Sequence, residues 1–80
     1  MAKVVFPDAF LPYTDGVRET DTTQRVYRDL VAELTARWPN LGPKLERTAV
    51  AIDGQIYQDA LLETFDEHSE VFFMARIEGG

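Results

Sequence analysis

The chain has 80 residues, enough for one domain and not for two. Hydrophobic residues make up 45% and charged residues 28%, a balance that excludes a disordered chain, and the lack of cysteine excludes disulfides, thiolate metal sites and a cysteine nucleophile. Fourteen acidic against eight basic residues leave a net charge of −6, so the surface repels nucleic-acid phosphates and favours a protein partner with a basic patch.

The apolar start of the chain is broken by Pro7 and Asp8, too early for a signal-peptide core. The longest apolar run, residues 71–75, is far below a membrane span. The expectation is a soluble cytoplasmic protein that binds neither nucleic acid nor membrane.

Residues 3–6 are β-branched and aromatic and predict a first strand, ended by Pro7. Residues 7–16 hold the turn formers Pro7, Asp8, Pro12, Asp15 and Gly16, with Phe10, Leu11 and Tyr13 among them to pack the loop on the core. Residues 16–20 form a second strand, making a hairpin with the first. Asp21, Thr22 and Thr23 are N-cap candidates for a helix. Val26, Leu30, Leu34 and Trp38 recur every four residues, Tyr27 and Val31 widen the stripe, and Arg25, Arg28, Asp29, Glu33 and Arg37 face away. Pro39, Gly42 and Pro43 stop it.

Residues 48–53 predict a third strand with Val50 and Ile52 on one side, and Asp53-Gly54 is a strong hairpin signal. Residues 55–57 form a short return strand at an edge, with Tyr57 on the open face or on the edge itself. Residues 59–65 form a turn or short helix with Leu61, Leu62 and Phe65 inward. A polar turn, 66–69, precedes a last strand over 70–77. Two adjacent strands before the helix rule out a repeated strand–helix unit. The pattern is α+β: a mixed sheet of four or five strands with one main helix across one face. The last strand lies centrally, parallel to the first.

Side chains alternate along that last strand. Val71, Phe73, Ala75 and Ile77 fall under the helix, leaving Phe72, Met74 and Arg76 on the other face. Phe72 and Met74 together on an uncovered face predict a protein-contact patch. The strand leads into Glu78-Gly79-Gly80. Glycine has no Cβ, so such an end passes through a narrow channel. A Gly80 carboxylate, ionised at neutral pH, can attack the α-phosphate of ATP and become an acyl-adenylate. The division expected is a domain over 1–77 and a flexible tail over 78–80.

The opening strand 3–6, the helix 22–38 followed by Pro39-Asn40-Leu41, the strand-turn Val50-Ala51-Ile52-Asp53-Gly54, and Glu70-Val71-Phe72-Phe73 leading to Gly79-Gly80 together resemble the ubiquitin-like β-grasp sulfur carriers of the MoaD/ThiS family. The resemblance spans the whole chain. It implies a β-grasp fold and a carrier rather than an enzyme, with Gly80 as the reacting residue and Gly79 letting the tail enter the partner. An adenylating enzyme of the ubiquitin-activating type (MoeB/ThiF-like) would supply ATP and Mg, the chain itself binding no cofactor. The resulting thiocarboxylate would pass sulfur to an acceptor enzyme or a large synthase subunit in cofactor or amino-acid biosynthesis. Phe72, Met74, Arg76 and Glu78 would meet these partners. The turn 66–70 lacks the glycine common in the family, and Arg76 and Glu78 put charges on the approach to the glycines. The segment 10–16 resembles carriers of amino-acid-biosynthesis type.

Three alternatives share the end of the chain: a small subunit of molybdopterin synthase, a ubiquitin-like modifier conjugated through Gly80, and an interaction domain in which Gly-Gly is incidental. Elsewhere the residues argue against chemistry. His68 stands alone in an acidic turn, so no metal site is expected, and Glu63, Asp66, Glu67 and Glu70 read as a solvated acidic patch. Thr35 and the other hydroxyls lack a base partner, and Trp38 reads as core.

Overall fold

Val4 and Val71, from opposite ends of the chain, lie side by side and fully buried at the middle of a five-stranded sheet. The computed structural model describes residues 1–76. Strands β1 (Ala2–Val5) and β2 (Glu19–Thr22) form an antiparallel hairpin around a 3-10 segment, Asp8–Tyr13. Helix α1 (Tyr27–Arg37) follows, then a 3-10 turn, Pro39–Leu41, and the single turn α2 (Gly42–Leu45). Strands β3 (Thr48–Ile52) and β4 (Gln55–Tyr57) form the second hairpin, and β5 (Glu70–Ala75) closes the sheet. The order is β2-β1-β5-β3-β4, with β5 parallel to β1 and antiparallel to β3. This is the expected architecture at the five-strand count. Ile77, Glu78, Gly79 and Gly80 lie outside the described residues.

Of the stripe, Leu30, Leu34 and Trp38, with Tyr27 beside them, are buried over Val4, Val50, Ile52, Val71 and Phe73, whereas Val26 precedes the helix, is half-buried and stays outside this cluster. Phe73 is the hub of an aromatic cluster, with Phe6, Phe10 and Tyr27 rings 6.0, 5.7 and 6.2 Å away. Trp38 meets Phe6 edge to face at 5.5 Å, a preferred aromatic geometry. Trp38 is thus core, as read from its place in the stripe.

Several expectations are corrected. The second strand is 19–22, not 16–20, because Asp15 and Gly16 take positive φ of 57° and 81° in the turn that ends the 3-10 segment. Helix α1 starts at Tyr27, not near Thr22. Thr22 instead extends β2 opposite Ala2, and its hydroxyl accepts the Gln24 N–H at 3.0 Å. No side chain caps α1. The first helical N–H groups, which lack intrahelical acceptors, donate to main-chain carbonyls of a crossing segment: Tyr27 to Glu63 at 2.9 Å and Arg28 to Leu61 at 3.0 Å. Residues 59–65 take the turn alternative rather than the helix: the Glu63 N–H donates to the Ala60 carbonyl at 2.8 Å across Leu61 and Leu62. Phe65 and Ala60 are buried, but Leu61 and Leu62 point to solvent at 50% and 72% exposure. Ala75, expected under the helix, is also exposed, at the last residue of β5.

Candidate functional site

The candidate site is the uncovered sheet face and the end of β5. Register builds it directly. Val5 pairs with Phe72, Phe72 with Ala51, and Ala51 with Ile56. These four side chains therefore form one row across β1, β5, β3 and β4 on the face away from α1. Met74 lies opposite Ala49 in the next row. The small Ala49 and Ala51 are buried among larger neighbours, whereas Phe72 is 40% and Ile56 54% exposed. Phe72 and Met74 are thus placed on the open face as expected. Ile56 completes the patch and went unrecognised in sequence, since only the pairing with Ala51 reveals its side.

A charged row borders the apolar one. Asp21, Lys3 and Glu70 are successive pairing partners, and Lys3 Nζ reaches Glu19 at 3.3 Å. Such an exposed pair contributes little to stability but marks a polar rim beside an apolar centre. The register also settles Tyr57. Its partner is Val50, so it lies on the helix side of the edge strand, half-buried, with its hydroxyl donating to Gln55 Oε1 at 2.9 Å.

At the start of β5 the Asp53-Gly54 turn is tied to the strand. Asp53 and Gly54 take φ of 50° and 84°, the left-handed pair a two-residue hairpin turn requires. Asp53 Oδ2 accepts the Ser69 hydroxyl at 2.7 Å, and its Oδ1 accepts the Glu70 N–H at 3.0 Å. These two bonds, the Ser69 one first, hold the Asp53 carboxyl below its ordinary pKa against a smaller opposing desolvation. A turn residue is therefore also a positioning contact for β5. No local signal in the sequence marks that pairing.

At the far end of β5, Arg76 reaches across β3 and donates from Nη2 to the Gln58 carbonyl at 2.8 Å. It is exposed and not grouped with Phe72 and Met74. The remaining predicted site residues, Glu78, Gly79 and Gly80, fall outside the described residues. His68 sits in solvent, 3.6 Å from Glu67. Among the described residues no three histidines or carboxylates converge to hold a metal ion, and no helix is long and apolar enough to cross a membrane.

No protein-family model and no curated protein sequence matches the chain. Solved structures do. A chain of the BexX/CysO complex of Amycolatopsis orientalis matches with a TM-score of 0.84 at 11% identity, over 100% of both chains. CysO of Mycobacterium tuberculosis, an antigen, matches with 0.82 at 11% identity, over 96% of this chain and 100% of its own. SAMP1 of Haloferax volcanii matches with 0.71 at 17% identity, over 99% and 98%. At these identities the likeness speaks for the fold. The chain is a ubiquitin-like β-grasp domain, the fold implied by the resemblance read from its sequence.

Proposed function

We propose that this domain is a sulfur-carrier protein acting through the carboxylate of Gly80. One observation carries the reading. The central strand β5, which bears the exposed Phe72 row on its open face, runs within a few residues into Gly79-Gly80. A rigid body with an apolar docking face then delivers a carboxylate on a tip without side chains.

In the proposed reaction, a Gly80 carboxylate oxygen bonds to the α-phosphorus of ATP and pyrophosphate leaves. A hydrosulfide then attacks the acyl carbon of the adenylate, the acyl C–O bond to phosphate breaks, AMP leaves and a thiocarboxylate results; where the sulfur arrives as a persulfide, a thiol cleaves the acyl disulfide so formed and departs as the disulfide of the donor. ATP and Mg are held by a partner of the ubiquitin-activating (MoeB/ThiF-like) type. The sulfur then passes to an acceptor enzyme or large synthase subunit. The carrier itself is a co-substrate, placed in the cytoplasm. Phe72, Ile56 and Met74 are the proposed contacts for the activating enzyme, with Arg76 and Glu78 beside the tail. The BexX/CysO complex supports the partner contact, as a matching fold found with another protein.

The test is intact-mass spectrometry after incubation with ATP, Mg, a sulfur donor and the cognate activating enzyme. The expected gain is that of one sulfur replacing one oxygen, absent when Gly80 is deleted. No gain with an enzyme shown to be competent overturns the reading. Gly80-dependent adducts of high mass in lysate would instead mark a ubiquitin-like modifier.

A further inference from the structure

A second surface lies on the helix side, away from the open face. A groove of about 160 Å³ opens between α1, the end of α2 and the β4 edge. Val31, Val50, Tyr57 and Ala60 give it an apolar floor, and Glu46 and Asp59 stand among its lining residues. Leu61 leads from it to a second depression bordered by Leu62 and Glu63. The two leucines are the exposed pair displaced outward by the main-chain cap on α1.

The charged residues lining the two depressions are mostly acidic, Glu46, Asp59 and Glu63 against Arg76. The carboxylates of Glu46, Asp59 and Glu63 make no ion pair or side-chain hydrogen bond with any described residue. The one guanidinium lining the groove, Arg76, is already committed to the Gln58 carbonyl. The net charge of −6 reinforces that field. A second copy of this chain would bring like charge, and nucleic acid would be repelled. The complement is a protein segment with an apolar anchor between basic side chains.

We propose that the groove between α1 and β4 docks such a segment of a partner protein. One aliphatic or aromatic side chain sits over Val31 and Tyr57, and lysine or arginine side chains stand against Glu46, Asp59 and Glu63. The site is independent of the Gly80 chemistry. Arg76, the last of the described residues, lines the groove. A protein seated here leaves the open face available to a different protein.

The experiment uses the full chain, labelled with nitrogen-15, and an acetylated, amidated peptide Lys-Lys-Gly-Leu-Gly-Lys-Lys. Control peptides replace the lysines by glutamates or the leucine by serine. The expected result is saturable amide shifts at Val31, Thr48, Tyr57, Ala60 and Leu61, absent with the glutamate peptide and about fivefold weaker with the serine peptide. The double variant Glu46→Lys, Asp59→Lys, both at exposed positions, weakens the lysine peptide by about tenfold. If that variant does not fold, Glu46→Gln with Asp59→Asn replaces it. Shifts confined to Val5 and Phe72, no saturable binding, or binding indifferent to both charge and anchor overturn the proposal. A chain lacking Gly79 and Gly80 gives the same affinity, so a failure of the sulfur-carrier reading and a failure of this one are told apart.

Discussion

Tyr27 offers a sharp test of how the core is built. It opens α1, is 6% exposed, and packs its ring against Phe73. Burial disfavours the phenolate and pushes its pKa from the usual 10.0 up to about 12. A group whose pKa is raised by folding contributes stability that is intact below its unfolded pKa and is lost as pH climbs through the folded one. The window here is therefore pH 10 to 12. At pH 11, midway between the two values, the loss is about 1.4 kcal/mol, approaching roughly 2.7 kcal/mol above pH 12. Urea unfolding followed by the fluorescence of Trp38, the single tryptophan, measures it at pH 8 and pH 11 in the wild type and in Tyr27→Phe. Other groups titrating in that range affect both proteins alike. The wild type should lose about 1.4 kcal/mol more than Tyr27→Phe. Equal losses would refute the claim that burial of this residue disfavours its phenolate.

Phe73→Ala empties the centre of the aromatic cluster and should cost about 3–5 kcal/mol in urea denaturation. A domain of this size holds on the order of 4–12 kcal/mol in all, so a loss below about 1 kcal/mol would show the cluster to be slack. Asp53 gives the opposite pH behaviour to Tyr27. Its lowered pKa adds stability that is present above the normal carboxylate range and disappears as pH falls through the folded value, so Asp53→Asn and Ser69→Ala should each flatten the acid limb of stability against pH. Gly54→Ala meets no atom within 4 Å but must hold a φ of 84°, which should cost about 1 kcal/mol by thermal or urea unfolding. A neutral outcome would mean the turn relaxes.

Alternation along β5 was readable because one face is buried, so each side chain's side follows from parity: Val71 and Phe73 in, Phe72 out. Asp53-Gly54 was readable because the left-handed turn needs those residue types. What the sequence left hidden depends on distant pairing. Thr22 carries a cap signal, yet Ala2 claims it for a strand. Leu61 and Leu62 belong to an apolar run that suggests burial, yet the carbonyls of Leu61 and Glu63 are drawn to the bare end of α1 and turn those leucines out. The Phe72 row needed the register of four strands, since Ile56 is apolar on a strand too short to show a period. Parity alone would also bury Ala75, yet it is exposed, since side-chain alternation says which face a residue takes and not how far along the strand that face is covered.

The place of β5 between β1 and β3 also dictates how the molecule comes together. Until residue 75 has been made, the first hairpin and the second have no strand in common, and their inner edges stand as unpaired backbone. The closing event joins segments from both ends of the polypeptide, a step of high loop-closure cost that must follow the local turns. A nascent chain stopped before Glu70 is therefore two adhesive halves, and a single late strand decides whether they become one object.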